Sequence, residues 1–170
     1  MFAKTLTRRL ALSLATVAAL STSAWAQSDA APVAVEQAWA RASVPGQQAT
    51  GAFMRLTAKE PLQLVGVETP AAAVAEVHEM KMEGDVMRMR AIASLDLPQG
   101  VAVELKPGGY HLMLQQLKSP LLKDTQVPIT LVFKNAKGVL SRLSLQVPVQ
   151  AMAPKGGAMP TGHGMHGHQH

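Results

Sequence analysis

Between Val33 and Val149 apolar and polar positions alternate in short runs, the period-two signature of half-buried strands. The pattern predicts strands over residues 34–41, 51–57, 62–68, 78–82, 86–91, 101–105, 110–114, 129–133 and 139–149. Many are separated by turn-forming clusters: Val44-Pro45-Gly46, Leu97-Pro98-Gln99-Gly100, Pro107-Gly108-Gly109 and Asn135-Ala136-Lys137-Gly138. Strands at this spacing, with no internal repeat, predict an all-β sandwich.

One hairpin can be built in detail. Gly84-Asp85 is a two-residue connection with glycine first, which would set Met82 opposite Met87 and Met80 opposite Met89. Strand residues two apart share a face, so His78 joins the methionines, while Glu79, Lys81, Arg88 and Arg90 form a charged face expected to meet water. Met82 and Met87 are expected to be adaptable core fillers.

The start of the chain differs from this region. Lys4, Arg8 and Arg9 precede an apolar stretch from Leu10 to Leu20, and Ala24-Trp25-Ala26 supplies small residues at a cleavage point. Residues 1–26 therefore read as a secretory signal peptide, with cleavage after Ala26. Arg8-Arg9 also fits a twin-arginine signal. The apolar stretch is too short to span a bilayer, and without cysteine no lipoprotein anchor is expected. Loss of residues 1–26 removes three of the sixteen Lys and Arg residues and no acid. Thirteen bases remain against eleven acids, a net charge of +2 rather than +5. With no basic stripe interleaved with aromatics, nucleic acid is not an expected partner. Residues 27–150 suffice for one domain, which must rest on its apolar core because it has no disulfides.

The candidate chemistry lies within that domain. His78 is followed after ten residues by Met89, after twenty-one more by His111, and Met113 stands two places further on. Imidazole plus thioether, in a chain without thiolates, is a ligand set that favours Cu(I). On a strand His111 and Met113 share a face and can bind one ion, with Leu112 and Leu114 packing on the other side.

This spacing, in both residue type and interval, resembles the motif of the PCu(A)C copper chaperones. Ala38-Trp39-Ala40-Arg41-Ala42, Gly108-Gly109-Tyr110-His111-Leu112-Met113-Leu114 and Leu117-Lys118-Ser119-Pro120-Leu121 are similar to recurring segments of the same family. The resemblance implies a cupredoxin-like β-sandwich in the periplasm that binds Cu(I) near its surface through His78, Met89, His111 and Met113. It further implies delivery to the copper-bearing subunit of a cytochrome oxidase, or exchange with another copper chaperone. Met80 varies mildly from the pattern and is an additional candidate thioether ligand.

After Pro148 the composition turns to Gly, Pro, Met and His, so residues 151–170 are expected to form a disordered tail. His163, Met165, His166, His168 and His170 place imidazoles at short spacing, suited to Cu(II), Ni(II) or Zn(II), with Met159 and Met165 available to Cu(I), and Cu(II) is the ion expected there. Among rival functions, a blue-copper electron carrier needs a cysteine thiolate, and the chain has none. An enzyme is not expected, because no nucleophile motif accompanies the histidines. A copper-sequestering storage or tolerance protein is the alternative, since the same site and tail would serve it.

Overall fold

The computed structural model describes residues 31–154. These residues form ten strands and no helix: β1 (Val33–Arg41), β2 (Ala49–Ala58), β3 (Leu62–Glu68), β4 (Ala72–Glu83), β5 (Val86–Ala91), β6 (Leu95–Leu97), β7 (Ala102–Leu105), β8 (His111–Leu117), β9 (Gln126–Asn135) and β10 (Leu140–Gln150). Hydrogen bonding follows one path, β5-β4-β8-β2-β1-β10-β9-β3-β6, with β7 paired to β2. The path is continuous but pinched at β1–β10, the one parallel junction, where only Ala40–Val149 and Arg41–Gln150 are in register. There the sheet closes over itself. Leu56, Leu112 and Leu114 from one half are buried with Leu64, Ile129, Leu131 and Phe133 from the other, each such side chain contributing about 1.5–3 kcal/mol by leaving water.

Each expected run falls on a strand, with one strand added and several longer than expected, β4 the most. β6 is an addition: Leu95-Asp96-Leu97 is too short to show a period, yet pairs with Leu62–Leu64 and buries both leucines. β4 begins at Ala72, six residues before the expected start. Its first half, Ala72-Ala73-Val74-Ala75, has little intrinsic strand preference, and its pairing with β8 supplies the order.

The hairpin register is as the turn dictates, with Met80 opposite Met89 and Met82 opposite Met87. Gly84 takes φ +63°, a conformation that costs glycine little. The expectation that Met82 and Met87 fill the core is wrong: they are 53% and 49% exposed. Alternation assigns them correctly to one face. However, β5 is an edge strand exposed along its whole length, and among the described residues nothing covers the hairpin.

An irregularity in β1 positions the aromatic margin of the site. Pairing with β2 slips between Glu36 and Trp39, and Gln37 adopts φ +52°, an uncommon backbone state for a residue other than glycine. Before the slip Val33 and Val35 face the core. After it Ala40 does, so Trp39 leaves on the opposite face beside its partner Phe53.

Candidate metal centre

The outer face of β4, β5 and β8 gathers the motif residues in cross-strand rows. His78 lies directly opposite His111, and Glu76 opposite Met113. Met113 in turn lies opposite Gly51 of β2. One row towards the hairpin tip stand Met80 and Met89. The imidazole rings of His78 and His111 are 5.8 Å apart between centroids and inclined at 50°.

Local sequence fixes the orientation of each imidazole. Lys106-Pro107-Gly108-Gly109 makes a tight turn in which Gly109 N–H donates to the Lys106 carbonyl and Gly108 takes φ +81°. A type II turn needs positive φ at its third position, which glycine supplies, and favours proline at its second. The turn presents the Gly109 carbonyl to two donors, Met80 N–H at 3.2 Å and His111 Nδ1 at 3.0 Å. With its proton on Nδ1, His111 has a lone pair on Nε2. That lone pair faces Met89 Sδ at 3.2 Å, so two acceptors confront each other with no proton between them.

His78 is held from its other side. Its Nε2 lies 3.0 Å from Glu76 Oε2, and the same oxygen accepts from Gln115 Nε2 at 3.2 Å. A carboxylate only accepts, so the His78 proton sits on Nε2 and the Nδ1 lone pair is free. That Nδ1 is buried and has no hydrogen-bond partner. An unpaired buried polar atom costs about 1–3 kcal/mol, and an ion that took its lone pair would remove the penalty.

Both imidazoles are nearly sealed, at 8% and 7% exposure, whereas Met89 is 48% exposed. The centre therefore has rigid nitrogen donors at its floor and a thioether at its rim. Phe53 lies beyond His111, with ring centroids 6.4 Å apart, and stacks on Trp39 at 4.6 Å. Arg41 covers the Phe53 ring at 5.7 Å. Gly51 makes room for this wall: a Cβ there would lie 2.8 Å from the tip of the Phe53 ring.

Among the described residues no three His, Cys, Asp or Glu side chains converge as a metal-binding group. The imidazoles and the thioethers on this face make a donor set that suits a soft ion, and their chemistry fits Cu(I). Of the residues singled out from sequence, His78, Met89, His111 and Met113 share this face, and half-buried Met80 stands beside Met89 in the next row. His163, Met165, His166, His168 and His170, like residues 1–26, lie outside the described residues.

Glu76, Gln115 and Gly109 were not foreseen. Glu76 stands two places before His78 on one strand, so the alternation that paired His111 with Met113 also carried the signal for it, whereas Gly109 acts through its backbone carbonyl, which alternation does not address.

The chain belongs to the family described as "Putative lipoprotein LpqE-like", whose model matches residues 33–149. The sequence contains no cysteine. A curated relative, "Putative lipoprotein Lxx21020" of Leifsonia xyli subsp. xyli (strain CTCB07), is 30% identical over 119 residues, 69% of each chain. Among solved structures, the Cu(I) form of DR1885 from Deinococcus radiodurans is 32% identical, with a TM-score of 0.56 over 74% of this chain and 83% of that one. The copper-bound PCuAC domain from PmoF2 is 22% identical with a TM-score of 0.56, covering 71% of this chain and 94% of that one, and establishes likeness of fold. The fold is thus the cupredoxin-like sandwich of PCuAC domains.

Proposed function

We propose that this protein is an exported, non-enzymatic copper chaperone that carries Cu(I) on His78, Met89, His111 and Met113. The observation that carries the reading is the unpartnered Nδ1 of buried His78 together with the Nε2 lone pair of neighbouring His111, against which Met89 Sδ is set. The copper-bound state of DR1885, at 32% identity, supports the choice of ion. The lipoprotein names of the family and of the Leifsonia relative support export, as does the signal-like segment of residues 1–26, and the periplasm is the compartment we assign.

Neutral ligands leave the charge of Cu(I) uncompensated, so a recipient with thiolates would take it downhill. The exposed Met89 lets exchange begin at the rim, one thioether at a time, while the buried histidines keep their places. We assign delivery to the copper centre of a cytochrome oxidase, directly or through another copper chaperone, on the strength of the motif resemblance. The tail ligands His163, Met165, His166, His168 and His170 are assigned a second copper, taken as Cu(II), at an effective concentration on the order of millimolar relative to the core site.

Copper titration under reducing and oxidising conditions, with and without residues 151–170, tests the reading. One Cu(I) with sulfur in its X-ray absorption shell should survive truncation, while Cu(II) uptake should not. A Cu(I) complex without sulfur scattering sinks the core assignment. A deletion strain separates delivery from storage: lost oxidase activity at limiting copper, rescued by added copper, supports delivery, whereas copper sensitivity with normal oxidase supports sequestration.

A further inference from the structure

The hairpin continues beyond the centre, and its outer rungs repeat the chemistry of the rim. Met82 and Met87 are directly opposite on β4 and β5, one rung outside the Met80–Met89 pair and on the same face. Successive same-face rungs are about 6.6–6.8 Å apart along a strand, and directly opposed residues have Cβ atoms about 4.5–5.5 Å apart. Met82, Met87 and Met89 are all roughly half exposed. The opposite face of the same two strands carries what an exposed hairpin ordinarily carries, ion pairs between Glu79 and Arg90 and between Glu83 and Arg88. Among the described residues no layer covers the methionine face, so their packing does not account for three thioethers in solvent.

We propose that Met82 and Met87 form a second, outer site for a soft monovalent cation, a thioether pair that receives and releases Cu(I) on its way to and from the core centre. Unbranched side chains with three rotatable bonds allow the two sulfurs to close on one ion. Neutral thioethers, with no carboxylate or imidazole at that rung, select Cu(I) or Ag(I) over harder divalent ions. Two such ligands hold the ion less firmly than the two histidines and two methionines assigned to the core. The Met80–Met89 rung lies between, so transfer inward needs only the exchange of one sulfur for the next along a single face. No change of oxidation state is involved. The inference rests on the core-site reading, since the outer pair is a relay only if the core binds copper.

The test uses the full chain labelled with 13C at the methionine methyl groups, titrated anaerobically with Ag(I) and with Cu(I) under reductant, each methyl assigned by a single Met→Leu variant. The Met89 and Met113 signals should move with the first equivalent, and the Met82 and Met87 signals with the next. In Met82→Leu/Met87→Leu, which keeps the bulk and removes the sulfur, first-equivalent affinity should be unchanged. Transfer to a dithiol chelator should slow about fivefold, because the relay's local concentration of ligand is lost. Met82 and Met87 methyls that stay fixed at every ratio, or equal transfer rates in the double variant, overturn the outer site. Fixed Met89 and Met113 signals with moving Met82 and Met87 signals overturn the core reading and leave the outer site standing.

Discussion

The two faces of β4 and β8 are built by the same residues' neighbours and do opposite things. Val77, Leu112 and Leu114 turn inward and are sealed in the core, while Glu76, His78, His111 and Met113 alternate with them and turn outward. A shift of one residue along either strand would exchange the sets. Stability and the proposed metal chemistry thus fall on interleaved but separable positions: the leucines fix where the strands lie, and strands so fixed bring two histidines from distant parts of the chain into register.

The separation can be broken from either side. The largest effect is expected from the inner face. Leu114→Ala removes a fully buried side chain at the centre of the cluster and should cost about 2–5 kcal/mol in urea unfolding. The folded fraction should still bind Cu(I) with native affinity. A loss of affinity in molecules that remain folded would show that the faces are coupled.

Met113→Leu attacks the outer face alone. Leucine keeps the apolar volume, so the unfolding midpoint should hold. Cu(I) affinity, measured by competition with a chromophoric chelator, should fall by more than the roughly 10–100-fold that loss of an outer-shell partner costs a metal site. Equal affinity in the variant would remove Met113 from the ligand set.

Glu76→Gln is the subtler version. The amide can still meet His78 Nε2, but through either its oxygen or its NH2 group, so the requirement for a proton on Nε2 is lost. Copper affinity should drop at the lower end of that range, about tenfold. Nitrogen-15 shifts of His78 in the metal-free protein should change from a single Nε2–H tautomer to a mixture. An unchanged tautomer would mean that Glu76 does not orient the ring.

How much of this was legible in the chain follows from what alternation can and cannot say. The hairpin register was readable because Gly84-Asp85 leaves one pairing, and the shared face of His111 and Met113 because two residues make one strand period. Alternation says which residues share a face, not whether another layer covers it, which is why it points Met82 and Met87 to the core although they stand in solvent. The slip at Gln37 left no sequence signal, since it occurs at a residue with no preference for positive φ. The Trp39–Phe53 wall therefore had to be seen in the structure. The orphaned His78 Nδ1 depends on Glu76 choosing the other nitrogen, a contact that spacing permits without specifying.

The smallest effect belongs to the same outward direction on β2 and β7, outside the candidate metal centre. Glu104 accepts from Lys106 Nζ and Arg55 Nη2, each at 3.0 Å. The hydrogen bond from Lys106, then that from Arg55, hold its carboxyl below the ordinary carboxylate value. A carboxylate with a depressed folded-state pKa adds stability that is present above its unfolded pKa, near 4.5, and is lost as pH falls through the folded value. Because Glu104 is open to solvent the gain is screened and small. Glu104→Gln should therefore lower the thermal midpoint slightly at neutral pH, and the two curves should converge as pH falls below the lowered folded-state value. Cu(I) affinity at neutral pH should be unchanged, since the ion pairs touch none of the proposed ligands. A midpoint difference that persists or widens in acid would assign Glu104 a packing role instead, and altered copper affinity would show that the outer face of the sheet acts as one electrostatic unit rather than as separate sites on a common frame.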